Sequence, residues 1–307
     1  MNRVTEEFAM PLADADDLPE IGLISDLMTL IKARLSLLVI ITTFVGFCMA
    51  SEARLDWLLL FNAIFGTTLA AAAAAVLNQW TESHVDRLME RTKSRPLPAG
   101  RMSPASALVF GMVLTFVGVG WLWMTANGLS ALLAASTVFI YLFLYTPLKR
   151  RTAFCTIVGA VSGAIPPVIG WTAAQGSHPT LGLGAWVLFG ILFTWQMPHF
   201  LAIAWMYRDE YAQAGFIMLK RDDVSGAITA LTSLAFSLAL GAICIVPFGA
   251  GTHGRVYLIG AILFNAIFIF FAVRFLLERN RVSARRLFFT SIFYLPLILG
   301  LMVFTKS

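Results

Sequence analysis

Residues 57–100 read WLLLFNAIFGTTLAAAAAAVLNQWTESHVDRLMERTKSRPLPAG. From Trp57 to Trp80 no side chain is charged, and a helix of that length crosses about 30 Å of hydrocarbon. Directly after it come Glu82, Asp86 and Glu90, interleaved with Arg87, Arg91, Lys93 and Arg95. A span that empties into a densely charged loop is the pattern of a membrane helix leaving the bilayer. Working outward, comparable apolar runs fall at 35–51, 104–124, 129–147, 153–175, 182–205, 225–247, 255–275 and 287–304, so about nine transmembrane helices are expected. The predicted fold class is all-α integral membrane. The two loops richest in charge follow the second and the sixth runs, four helices apart, which predicts two four-helix halves in parallel orientation plus one further helix.

Composition agrees. Of 307 residues 59% are hydrophobic and only 13% charged, about half the charged share of a water-soluble domain, and the mean hydropathy is +0.80. The net charge of +5 comes from short basic clusters between apolar runs, which excludes a nucleic-acid-binding surface and reports membrane orientation instead. With the N-terminus in the cytoplasm, the inner segments take all Lys and Arg except Arg54, Arg255 and Lys306, and the C-terminus is periplasmic. Residues 1–20 hold Glu6, Glu7, Asp14, Asp16, Asp17 and Glu20 against Arg3, so a disordered acidic cytoplasmic tail is expected before a single membrane domain over 21–307. The wrong charge for a transit peptide points to a bacterial inner membrane. From Ile21 to Arg34, Ile24, Leu27, Met28 and Ile31 lie on one face, as in a helix lying in the interface. Cys48, Cys155 and Cys244 show no metal or disulfide spacing.

Chemistry concentrates in the two charged loops. If the second span continues past Trp80, then Asn78, Glu82 and Asp86 fall at i, i+4, i+8 on one face, and Pro96 and Pro98 stop the helix. Three hard oxygen donors in a row suit Mg²⁺, which uses few carboxylates and completes its shell with substrate phosphate oxygens. Arg87, Arg91, Lys93 and Arg95 would then stabilise charge building on a leaving diphosphate. The second loop carries Tyr207-Arg208-Asp209-Glu210-Tyr211, where Asp209 and Glu210 are candidates for a further Mg²⁺ and Arg208 for phosphate. Asp209 is the acid expected to face the site. Lys149 and Arg150 close the fourth run and are candidates for diphosphate as well as markers of an inner loop. His199, in an apolar run after Pro198, is a candidate to orient an acceptor, ligate a haem iron or move a proton, besides the common role of a helix-to-helix hydrogen bond.

These motifs resemble the UbiA superfamily of intramembrane prenyltransferases, whose first motif is N-x-x-x-D/E-x-x-x-D. More narrowly, Asn78–Gly100 with its R-T-x-x-R-P-L-P-A-G ending, Tyr145–Arg150, Gly159–Trp171 and Met197-Pro198-His199-Phe200 are similar to the haem-modifying branch. Two positions depart from the superfamily pattern: Glu82 stands where Asp is common, and Gln213 where a second carboxylate would follow Asp209. The resemblance implies Mg²⁺-dependent transfer of farnesyl from farnesyl diphosphate to a vinyl group of haem B, giving haem O, with catalytic roles for Asn78, Glu82, Asp86, Arg91, Arg95, Asp209 and His199. It also implies contact with haem A synthase or terminal oxidase assembly. A quinone or 4-hydroxybenzoate acceptor is the alternative within the enzyme class, and a secondary transporter the alternative outside it. Transporter polar groups sit near the midplane, whereas these sit at one face.

Overall fold

The computed structural model describes residues 22–52, 54–220 and 222–306, without the side chains of Arg34 and Leu35. The expected acidic tail lies outside the described residues. The described chain is helical: α1 (Leu23–Leu30), α2 (Ala33–Ala50), α3 (Trp57–Asp86), α4 (Pro104–Thr125), α5 (Gly128–Phe139), α6 (Thr146–Leu148), α7 (Cys155–Ala164), α8 (Pro166–Ala174), α9 (Leu183–Met206), α10 (Arg208–Gln213), α11 (Ala227–Gly249), α12 (Arg255–Glu278) and α13 (Arg281–Phe304). A wide π-turn, Ile140–Tyr145, joins α5 to α6.

Eight helical stretches among the described residues are long and apolar enough to cross a membrane: 57–86, 104–125, 128–148, 155–174, 183–206, 227–249, 255–278 and 281–304. The ninth expected span is helical as α2, but its apolar part, Ser36–Ala50, is shorter than the others. It is held by packing. A side chain on Gly46 would lie inside Pro167 O, and one on Gly170 inside Thr43 O, so only two glycines let α2 and α8 approach with backbone touching backbone. Small residues do the same between α3 and α4, where Ala70 and Gly66 face Gly118. Many large apolar side chains point outward, including Phe61, Phe116, Trp123, Ile259, Phe270 and Phe293. In water such a surface would aggregate; against lipid tails it is the solvated face.

The helices alternate in direction, so the loops sort to two ends. One end collects α1, loop 87–103, turn 149–154 and the α10 segment. The opposite end is fastened by Lys306, whose Nζ donates to Cys48 O at 3.2 Å and to Ser51 O, and by His253 Nε2, which donates to Met302 O at 3.0 Å.

Helix α1 is shorter than the expected 21–34 stretch. Leu23, Ile24 and Met28 face outward while Asp26 is buried against Arg101, which grips it through Nε and Nη2 at 2.8–3.2 Å. An apolar side turned away from the protein and an acid locked beneath it suit a helix lying in the interface. Helix α3 does run past Trp80 but ends at Asp86, well before Pro96. The chain turns there because Thr92 Oγ1 donates to Asp86 O at 2.9 Å and the following residues form successive turns, so the prolines shape the loop and do not stop the helix.

Candidate active site

At 30 residues α3 is about 45 Å long, and its last two turns carry the stripe beyond the alanine-rich packing segment. Asn78, Glu82 and Asp86 lie on one face of this continuous helix and are all buried. Each meets a base or a hydroxyl from another segment. Lys32 Nζ donates to Asn78 Oδ1 at 3.1 Å, and Asn78 Nδ2 donates to Glu82 Oε2 at 2.9 Å and to Thr146 Oγ1 at 3.1 Å. Lys149 Nζ sits on both Glu82 oxygens, at 3.0 and 2.9 Å. Arg95 Nη1 donates to Asp86 Oδ2 at 2.7 Å.

The π-turn sets this arrangement. Thr146 Oγ1 donates five residues back to Tyr141 O at 2.8 Å, and the widened turn delivers Thr146 to Asn78 and Lys149 to Glu82. Lys149 Nζ also lies 4.5 Å from the Tyr145 ring centre. Burial opposes its charge, but the neighbouring Tyr145 and the Glu82 carboxylate outweigh that and hold its pKa above the ordinary lysine value.

The second charged loop folds over the end of α3. Val85 and Met89 pack with Ala214 and Phe216, and Ile217 N donates to Lys149 O at 2.6 Å. Arg91 Nη2 donates to Tyr211 Oη at 3.2 Å, with its guanidinium 5.8 Å from the Tyr207 ring centre and 5.9 Å from that of Tyr211. Tyr207 and Tyr211 are one turn apart and take the face of α10 that meets Arg91. Asp209 lies about 200° around the helix from them. Its side chain is therefore 87% exposed, with Arg208 Nε 3.7 Å away, and stands in solvent instead of on the stripe. Glu210 is half-buried and makes no side-chain hydrogen bond among the described residues. Arg208 lies over Trp205, Lys93 pairs with exposed Glu90 at 2.7 Å, and Arg87 and Arg150 are exposed.

Of the expected residues, Asn78, Glu82, Asp86, Arg95 and Lys149 come together directly, and Arg91 joins through the tyrosines. Two contributors had no role in the sequence reading. Thr146 was only part of a basic cluster, and Lys32 looked like one more positive charge at a span end. The signal for Lys32 is its position, with Arg34, between the last amphipathic position, Ile31, and the apolar run that begins at 35.

His199 lies on α9, where Nδ1 is 2.7 Å from Ser291 Oγ and the ring stacks on Trp195 at 5.0 Å. Ser291 Oγ uses its hydrogen on Phe288 O at 2.5 Å, so it accepts from His199 Nδ1–H, and the neutral ring keeps its lone pair on Nε2.

Among the described residues no three His, Cys, Asp or Glu side chains form a metal-binding group. The stripe offers one amide and two carboxylates, a hard oxygen set that fits Mg²⁺ with the rest of its shell filled by phosphate and water. Each of the three is in contact with a base, and the cluster sits at one end of a lipid-exposed bundle.

Comparison with known proteins places the chain in a family. The UbiA prenyltransferase family model matches residues 39–295. The protoheme IX farnesyltransferase of Solibacter usitatus is 44% identical over 290 residues, covering 92% of this chain and 98% of its own. The human mitochondrial protoheme IX farnesyltransferase is 39% identical over 292 residues, covering 94% of this chain and 63% of its own. Among solved structures, a digeranylgeranylglyceryl phosphate synthase superposes with a TM-score of 0.78 at 16% identity, over 92% of this chain and 98% of the other. A UbiA homologue from Archaeoglobus fulgidus bound to DMAPP and Mg²⁺ superposes with a TM-score of 0.63 at 12% identity, over 91% and 99%.

Proposed function

Since the chain belongs to the UbiA prenyltransferase family, we propose that it transfers farnesyl from farnesyl diphosphate to a vinyl group of haem B, giving haem O. The observation that carries the reading is the buried stripe of Asn78, Glu82 and Asp86, each side chain in contact with a base, at the charged end of the bundle. The protoheme IX farnesyltransferases that match nearly the whole chain support haem as the acceptor.

Asn78, Glu82 and Asp86 would hold Mg²⁺, which when bound would supply Lewis acidity to the leaving diphosphate. Arg91, Arg95 and Lys149 bind phosphate oxygens and stabilise the charge that grows on them as the C1–O bond of the farnesyl group breaks and its electron pair leaves with diphosphate. Arg87, Lys93, Arg150 and Arg208, exposed at the same end, draw the anion in through their field and hold it less tightly. Asp209 and Glu210 of the short α10 would supply oxygens to a second Mg²⁺ only if Asp209, which stands in solvent here, turned toward the stripe. The electron-rich vinyl carbon attacks the allylic C1, and water adds to the carbon left positive, releasing a proton. His199, with its Nε2 lone pair free, orients the haem acceptor, while Trp195 and Phe200 exclude water around it. With the basic loops in the cytoplasm, the diphosphate site opens to the cytoplasmic face of a bacterial inner membrane. The product is on this reading passed to haem A synthase or terminal oxidase assembly.

The test uses purified protein in detergent with haem B, farnesyl diphosphate and Mg²⁺, read by mass spectrometry. A hydroxyethylfarnesyl haem formed by wild type and not by Asp86→Ala supports reaction and stripe together. Prenylated 4-hydroxybenzoate with unmodified haem overturns the acceptor and leaves the diphosphate site standing.

A further inference from the structure

The second of the two residues between α1 and α2 has an unusual backbone. Lys32 has φ 50° and ψ 55°, the left-handed region that a side chain with Cβ adopts at a cost of roughly 1–2 kcal/mol. Neighbouring contacts impose it. Gln79 Nε2 donates to Thr29 O at 3.2 Å and to Leu30 O at 2.6 Å, and Arg101 clamps Asp26, so the end of α1 is fixed to α3 and to the loop that follows it. The strained turn carries Lys32 Nζ to Asn78 Oδ1, 5.9 Å from the Tyr141 ring centre. Strain kept at a functional site by several independent contacts is a sign of use.

The charge balance says what the use is. Lys32, Lys149 and Arg95 cover Asn78, Glu82 and Asp86, so three cations meet two carboxylates and the buried cluster already carries a net charge of +1. A lone Mg²⁺ would raise this to +3 in a poorly solvated site. It would also meet a base at each of the three: Lys32 on Asn78 Oδ1, Lys149 on both Glu82 oxygens and Arg95 on Asp86 Oδ2. An alkyl diphosphate brings roughly three negative charges. Together the two return the cluster close to neutrality, with each base finding a phosphate oxygen in place of the ligand that it releases.

We propose that Lys32 is a diphosphate-binding residue that guards the metal stripe: its ammonium holds Asn78 until the diphosphate arrives and then moves to a phosphate oxygen, so Mg²⁺ enters only together with the prenyl diphosphate. This rests on the prenyltransferase reading above and adds the order of binding to it.

The experiment follows Mn²⁺ by electron paramagnetic resonance on the full chain in detergent, with and without the unreactive farnesyl S-thiolodiphosphate, in wild type, Lys32→Met and Lys32→Arg. Removing one cation beside the stripe is expected to tighten Mn²⁺ binding without the analogue about tenfold. In the same variant, uptake of the analogue at saturating Mn²⁺ is expected to weaken about tenfold, because one phosphate contact is lost. These shifts have opposite signs, which a general loss of structure would not produce, and Lys32→Arg should keep the wild-type pattern in both arms. Equal Mn²⁺ affinity of wild type and Lys32→Met without the analogue, or unchanged analogue uptake, overturns the proposal. If wild type takes up no analogue even with Mn²⁺, the prenyltransferase reading falls with it; normal uptake with no effect of Lys32→Met removes only the guard.

Discussion

The Lys149–Glu82 pair allows a quantitative test by a double-mutant cycle with Lys149→Met and Glu82→Gln. The side chains are 12% and 9% exposed, and Lys149 Nζ contacts both carboxylate oxygens within 3.0 Å. Removing Lys149 leaves a buried carboxylate with only the Asn78 amide as donor, and removing the Glu82 charge leaves a buried ammonium beside an aromatic ring. Breaking a buried pair from one side costs about 3–5 kcal/mol, whereas removing both charges in similar volume is often close to neutral. The double variant is therefore expected to be more stable than either single one, which requires a coupling energy of at least about 3 kcal/mol. For a chain of this size each kcal/mol moves Tm by about 2 °C, so each single variant should melt about 6–10 °C below wild type. Tryptophan fluorescence during heating in one detergent, without metal or diphosphate, gives all four values. Additive losses, with the double variant the least stable, would refute the argument that charge compensation holds this corner together.

Asp209→Asn is expected to leave stability unchanged within about 0.5 kcal/mol, since the side chain stands in solvent, while prenyl transfer falls at least about tenfold; full activity would remove Asp209 from metal binding. Asp223 caps α11, accepting from Ile228 N at 3.1 Å and from Thr229 N and Oγ1 at 2.7 and 2.6 Å. Burial pushes its pKa up, but the Thr229 hydroxyl and the Thr229 and Ile228 amides outweigh that and lower it. A lowered folded pKa means stability that is present above about pH 4 and lost as the pH falls through the folded value. Asp223→Asn should therefore cost about 1 kcal/mol at neutral pH, with the gap to wild type closing below about pH 4 in melts across pH; a constant gap would show that charge has no part in the cap. For orientation, Gly100→Cys and Gly251→Cys, each without the native cysteines, should react with a membrane-impermeant maleimide from opposite sides, only Gly251→Cys from outside intact cells. The reverse pattern would invert the topology.

The spans were legible because length and lack of charge are one-dimensional properties, and so was the stripe, because a spacing of four survives any rigid rotation of α3. Partners from other helices were not. Nothing in 149–151 says that Lys149, and not Arg150, turns inward; that depends on the π-turn, which propensity does not mark. Asp209 shows the converse. Its chemistry was visible, but the orientation of α10 depends on Tyr207 and Tyr211 meeting Arg91, a contact 120 residues apart in sequence. The apparent end of α3 at the prolines failed for a related reason: a single hydroxyl, Thr92 Oγ1, competes for the last carbonyl.

The wide turn at Ile140–Tyr145 also bears on how this helix can vary. Helix α5 has its rotational phase set by its neighbours in the bundle, and Thr146 and Lys149 have theirs set by the stripe. The turn is the phase adjuster between the two. The extra residue that a π-turn absorbs sets Thr146 and Lys149 back by about 100° from where an unbroken α-helix over the same residues would carry them, so regular winding through this segment would take both off Asn78 and Glu82. A substitution that favours regular winding here would therefore misplace two side chains of the stripe cluster while altering neither of them.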